Sequence, residues 1–289
     1  MSSTVRIANQ FLTVDISSLG AEMQSLTSSD GRSWVWNGDA AFWTGRSPIL
    51  FPMVGKAPND TLKVGGHSAP MAQHGFARRS DFTLVSSSET ICRYELAPSQ
   101  ATKAVYPFDF LLAVIHSLEG RTLTVAAEVT NRDDCPMPFG LGFHTAFLWP
   151  LPGARGKPHT VTLDNGAEPA LVRLDGGLIS PKRLASPFKA GSLVLDYSMF
   201  EQDAMIFPEG AGPGLRYEAE GGPAMHFSFE NLPNLALWTK PGAPFLCIEP
   251  WHGTAAENGG PDDLEGRPYT KLLGAGETAR FSFSTEILA

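Results

Sequence analysis

Charge is scarce in this chain. Charged residues make up 18% of its 289 residues, against a usual figure of about 25%. The formal net charge is −8 and no Lys/Arg cluster offsets it, which excludes a nucleic-acid partner. Cysteine is scarce too. Cys92, Cys135 and Cys247 show no metal-ligand spacing, and an odd number in a chain this long reads as reduced thiols in a cytoplasmic protein. No run of about 18 apolar residues is present, so no membrane-spanning helix is expected. The first ten residues lack a basic region followed by an apolar core, so no signal peptide is expected either. No glycine-rich phosphate loop opens a helix, and no Cys/His cluster marks a metal centre. A helical 3.6-residue pattern nowhere holds for three turns.

Glycine (29) and proline (23) are frequent, and hydrophobic residues reach 43%. Apolar residues alternate with period two in several stretches. Leu12, Val14 and Ile16 share one face. So do Leu123, Val125, Ala127 and Val129, then Val161 and Leu163, then Met225, Phe227 and Phe229, then Phe281 and Phe283. The run 110–116 is apolar on both faces and reads as a central strand between two layers. Turn signals such as Asp164-Asn165-Gly166 and Asp175-Gly176-Gly177 separate the runs, and Gly221-Gly222 closes a hairpin over 217–229. Short helical pieces are expected near 39–43 and 196–201. The Pro/Gly-rich segment 151–158 reads as a long loop, because strand-like runs continue at the same density on both sides. The expectation is one all-β domain over 1–289, built from two or more packed antiparallel sheets.

Four segments interrupt this pattern with polar residues. Two are apolar, β-prone runs with one titratable residue near the end: 139–147 with His144, and 245–251 with Glu249. A purely structural glutamate is unusual in such a run, whereas a satisfied core histidine is as credible for His144 as a functional one. The third segment, 42–56, carries Arg46 between prolines that limit ladder pairing. Its five donors suit hydroxyls or a carboxylate, and equally a salt bridge that pins a loop. The fourth, 73–78, carries His74 and Arg78 around Gly75, and a loop histidine bonded to backbone fits it as well. Trp251, Trp43, Trp149 and Trp238 offer aromatic faces for the C–H faces of sugar rings, or plain core packing.

Taken together, Gly45-Arg-Ser-Pro-Ile-Leu-Phe-Pro-Met-Val-Gly55, Gln73-His-Gly-Phe-Ala-Arg78, Gly142-Phe-His-Thr-Ala-Phe147 and Cys247-Ile-Glu-Pro-Trp-His-Gly253 resemble the aldose 1-epimerase (galactose mutarotase-like) family. The match is to its shorter bacterial branch. The resemblance implies an antiparallel β-supersandwich with a sugar cleft on one sheet, and cofactor-free, metal-free interconversion of α and β anomers. It implies Glu249 as base and His144 as acid, with Arg46, His74 and Asp203 at the substrate and Arg78 lining the site, where Trp251 is expected to offer the sugar its aromatic face. The His144-Thr-Ala-Phe and Glu249-Pro-Trp segments depart from the galactose-specific branch, so the sugar is left open.

Ring opening needs one group to take the O1 proton and another to protonate O5. The expected arrangement is ionised Glu249 beside a His144 that its carboxylate keeps charged. The expected partner is a monosaccharide or a sugar phosphate, the latter met by Arg78, Arg79 and Lys56. A non-catalytic sugar-binding protein on the same scaffold is the alternative. A glycoside hydrolase using Asp203 and Glu249 is a further one, which the prominent histidine disfavours.

Overall fold

Period-two alternation and frequent turn formers give long antiparallel strands in the computed structural model, which describes residues 3–288. A nine-stranded sheet runs in the order Ser192–Val194, His159–Leu163, Gly214–Ala219, Ala224–Glu230, Thr278–Leu288, Thr122–Asn131, Phe110–Glu119, Ile91–Leu96, Thr83–Ser87. Every neighbouring pair is antiparallel. A second sheet runs Met205–Phe207, Asn234–Trp238, Phe245–His252, Leu141–Phe143, Ile49–Leu50, with Thr145–Leu148 also pairing on Phe245–His252.

The two sheets pack face to face. Phe143 meets Phe283 at 5.0 Å between ring centroids, and Phe147 meets Phe227 at 4.9 Å. These rings belong to one buried apolar cluster that reaches from Ile7 to Ile287. A three-stranded sheet, Thr4–Ala8, Leu12–Ser17 and Met23–Ser28, adds Val14 and Ile16 to it.

The expected hairpin is present. Gly214–Ala219 pairs with Ala224–Glu230, and the turn is closed by the Gly222 N–H donating to Ala219 O at 3.0 Å. Two other expectations need correction. The run at 110–116 lies inside a strand whose Phe110, Leu112, Val114 and His116 are buried, while on the other face Ala113 is buried but Leu111 and Ile115 are only half-buried. Its second face is therefore not covered by a full layer. Near 39–43 only a single turn forms, with the Phe42 and Trp43 N–H groups both donating to Asp39 O at 3.0 Å. Residues 196–201 do hold a helical piece, a 3-10 turn at Tyr197–Phe200 capped by the Asp196 carboxylate at 2.8 Å from Ser198 N. The one α-helix among the described residues, Gln100–Lys103, carries a Ser99/Thr102 capping box. No helix there is long and apolar enough to cross a membrane.

Candidate active site

Strand periodicity sets the floor of the site. Along Phe245–His252, Leu246 and Ile248 point into the sandwich core. Phe245, Cys247, Glu249 and Trp251 therefore stand on the opposite face, away from the nine-stranded sheet. Gly142 pairs with Trp251 and Thr145 pairs with Ile248. The two pairings share one register, so His144 stands directly across from Glu249. Pro250 has no N–H to give the ladder there, and His144 N donates instead to Pro48 O on the other side at 3.2 Å. The result is an imidazole Nε2 3.4 Å from a Glu249 carboxylate oxygen, with Glu249 only 2% exposed.

Both segments are tightly fitted. A Cβ at Gly142 would lie 2.4 Å from Trp251 Cδ1, so the indole lies where any other side chain would stand. In the segment Gln73–Arg78, a Cβ at Gly75 would lie 2.2 Å from Phe51 O. Gly75 also has φ +72°, a left-handed conformation that glycine takes without steric cost. That close approach lets Phe76 N and Ala77 N donate to Phe51 O at 3.0 and 3.2 Å, holding His74 and Arg78 over the floor.

The His144 ring lies on the face of Trp43, centroids 4.9 Å apart and planes 29° from parallel. The rings of His74 and Trp238 meet it nearly perpendicularly, at 5.5 and 5.7 Å. Together with Glu249, Trp251, Arg78, Asp203 and Lys240 they surround a cavity of about 380 Å³. The Leu174–Asp175/Leu178–Ile179 hairpin supplies part of its wall through Leu174 and Gly177.

Hydrogen bonding fixes the tautomer of His74. Its Nδ1 accepts from Gly55 N at 3.0 Å, which leaves the proton on Nε2, 3.2 Å from the Gln73 side-chain amide. Burial, helped by Arg78 and Arg79, pushes its pKa down to about 3, so it is a neutral donor at ordinary pH. The Arg78 guanidinium feels Glu22 and Glu249 across space but closes no hydrogen bond among the described residues. Asp203 sits exposed on the rim with φ +67°, its backbone carbonyl held by Arg173 at 2.8 Å. Arg46 does not line the cavity. Its guanidinium donates to Asn37 O at 2.7 Å and to the Gln24 side chain, which is the loop-pinning role. Trp149 stacks on Tyr197 at 4.2 Å, outside the cavity.

The proton balance differs from the expected one. Burial raises the Glu249 pKa well above the ordinary carboxyl value, and Asp203 pushes it the same way. Arg78 and the Trp251 indole N–H act in the opposite direction, although that N–H closes no hydrogen bond of standard geometry. His144 is lowered well below 6.5 by burial, then by His74 and Arg78. Desolvation outweighs the attraction of the pair, so the neutral forms of both groups are favoured. The pair still holds one proton in total, as an ion pair would.

Of the residues without an expected role, Lys240, Gln73 and Leu174 line the cavity, and Trp43 and Trp238 had only a generic aromatic one. Gly45 leaves room for the Trp43 ring, since a Cβ there would lie 2.5 Å from it.

A family model for aldose 1-epimerase matches residues 3–258. The chain belongs to the aldose 1-epimerase family. Among relatives, the protein LacX (chromosomal) of Lactococcus lactis subsp. lactis is 30% identical, with 99% of each chain covered. A galactose mutarotase related enzyme from Lactobacillus acidophilus superposes with a TM-score of 0.93 at 26% identity, over 99% of this chain and 98% of the other. A galactose mutarotase-like protein from Lactobacillus casei ATCC 334 gives 0.90 at 28% identity, over 99% and 100%. The antiparallel sandwich described above is therefore the galactose mutarotase-like fold, and the cavity opens on the six-stranded sheet of that fold.

Proposed function

We propose that this member of the family is an active aldose 1-epimerase, interconverting the anomers of an aldose held over Glu249 and His144. The observation that carries the reading is the 3.4 Å contact of a carboxyl and an imidazole at the floor of a cavity whose size falls in the ~300–1,000 Å³ range of small-molecule sites. Glu249 takes the O1 proton while His144 protonates O5, and the C1–O5 bond breaks. The pair, ionic at the start of this step, becomes neutral as the open-chain aldehyde forms. Rotation about C1–C2 presents the other carbonyl face. Closure returns the proton on O5 to His144 and that of Glu249 to O1. The total of one proton on the pair is unchanged. Because burial favours the neutral pair, the site is electrostatically matched to the open-chain stage, and Arg78 beside Glu249 favours the carboxylate needed to start.

His74 Nε2–H, Arg78 and Asp203 supply donors and acceptors for hydroxyls, and Trp251 and Trp43 supply apolar faces. Because one buried cluster spans Ile7 to Ile287, 1–289 is read as one domain that serves this single site. Three cations around the cavity, Arg78, Arg79 and Lys240, favour a second reading in which the sugar carries a phosphate. A panel of free and phosphorylated aldoses, scored by NMR for accelerated anomer exchange, tests both. Acceleration confined to phosphorylated sugars, weakening as salt rises, selects the second. Calorimetric binding with no acceleration of any sugar refutes both in favour of a non-catalytic sugar-binding protein.

A further inference from the structure

A third donor, Cys247, lies just beneath the floor of the site, buried and outside the cavity lining. Cys247 and Glu249 stand two residues apart on one strand and share its face, while His144 stands across from Glu249 on the antiparallel neighbour. One ligand atom from each lies within 4.8 Å of the others, and all three residues are buried. Two donors at i and i+2 with a third from the adjacent strand form a three-point array, which the cavity reaches through His144 and Glu249. That is the demand of tetrahedral zinc with one exchangeable position. The 3.4 Å separation of His144 Nε2 and the Glu249 oxygen fits two bonds of roughly 2.0–2.1 Å meeting near the tetrahedral angle.

We propose that His144, Cys247 and Glu249 bind Zn²⁺ reversibly, and that the ion inhibits anomer exchange by replacing the proton the pair would move. The inhibitory half rests on the epimerase reading; the binding half does not. Binding releases two protons, one from the Cys247 thiol and one from the His144–Glu249 pair. Thiolate and carboxylate then neutralise the ion, so no net charge is buried. His144 enters as a neutral imidazole. Arg78 and His74 face the same floor and oppose a cation, while Asp203 on the rim assists it. Metal-bound histidines nearly always donate their other ring N–H to a partner, yet His144 Nδ1 is buried without one. The site is accordingly suited to an exchangeable inhibitor rather than a resident ion. The thiolate selects zinc over magnesium or calcium.

Co²⁺ titrated into the full chain tests the binding half through its thiolate charge-transfer and tetrahedral absorption bands. Zn²⁺ should displace Co²⁺, exchange should fall in step with zinc occupancy, and a chelator should restore it. Cys247→Ala should keep the basal exchange rate. Its zinc affinity should fall by more than the about 10–100-fold that loss of a mere supporting partner costs. Cys247→Ser serves the same comparison if the alanine variant does not fold. Absence of a thiolate band, or a Cys247→Ala enzyme as zinc-sensitive as wild type, overturns the proposal. A thiolate band in a protein that accelerates no sugar upholds the metal site and refutes only the epimerase reading.

Discussion

Replacing Glu249 by glutamine keeps the outline of a protonated glutamate and removes its capacity to exchange a proton. Positioned acid/base groups contribute about 10²–10⁴-fold, so Glu249→Gln should slow anomer exchange at least ~100-fold, equivalent to about 2.7 kcal/mol in the barrier. His144→Asn should do the same. Stability should move the other way. The Glu249 pKa is raised in the fold by burial and Asp203. Wild type therefore holds its full stability below the unfolded carboxyl value of about 4.5. Above that it loses up to ~1.36 kcal/mol for each pH unit, until the carboxyl ionises in the folded protein. Glutamine does not titrate, so the variant should gain on wild type as pH rises above 4.5. The assay is polarimetry on freshly dissolved anomers of a sugar that wild type accelerates, paired with urea denaturation at several pH values. A variant that exchanges anomers at the wild-type rate would sink the acid/base assignment. One that becomes less stable than wild type with rising pH would refute the account of burial.

Arg46→Ala should leave the exchange rate within about two-fold of wild type and cost about 1 kcal/mol of stability for its loop bonds; a large rise in KM would place Arg46 at the substrate instead. Gly142→Ala forces the Trp251 indole aside and should lower both exchange and Tm, which an unchanged melting curve would contradict. His116, buried with no partner for Nδ1, is lowered by burial to about 3. Its contribution is present above pH 6.5 and lost as pH falls toward 3. Wild type should therefore lose about 2 kcal/mol between pH 7 and 5 through this residue, and His116→Leu should show that much less acid sensitivity in denaturant titrations.

The strands were legible because period two is local: Val125 and Val129, or Phe281 and Phe283, declare their face within a few residues. The order of the nine-stranded sheet was not, since placing Thr278–Leu288 between Ala224–Glu230 and Thr122–Asn131 depends on pairings distant in sequence, the second of them over a hundred residues apart. At the site, Glu249 stood out because a carboxylate in an apolar run is costly. Arg46 shows the converse, because residue type and a proline-rich setting do not reveal where a guanidinium points. The charge state of the pair is not legible in the sequence for a different reason. Adjacency suggested mutual attraction, whereas the desolvation that decides it depends on Trp43, Trp238 and Trp251 closing around both groups. The interruption of the 110–116 layer likewise depends on what covers Leu111 and Ile115, which no local pattern records.

The shared register of Gly142–Trp251 and Thr145–Ile248 has a consequence for how this cavity can change. His144 and Glu249 face it only because their strands are aligned as they are. A slip by one residue on Phe245–His252 would bury Glu249 among the phenylalanines and turn Ile248 outward. The floor is thus tied to the folding of the whole sandwich and has little freedom to drift. The walls come from Trp43, the Gln73–Arg78 segment, the hairpin at Leu174 and the turn at Asp203, all outside that register. On the proposed epimerase reading, such a vessel is refitted for a different sugar by substitutions in its walls, while the His144–Glu249 pair at its base stays in place.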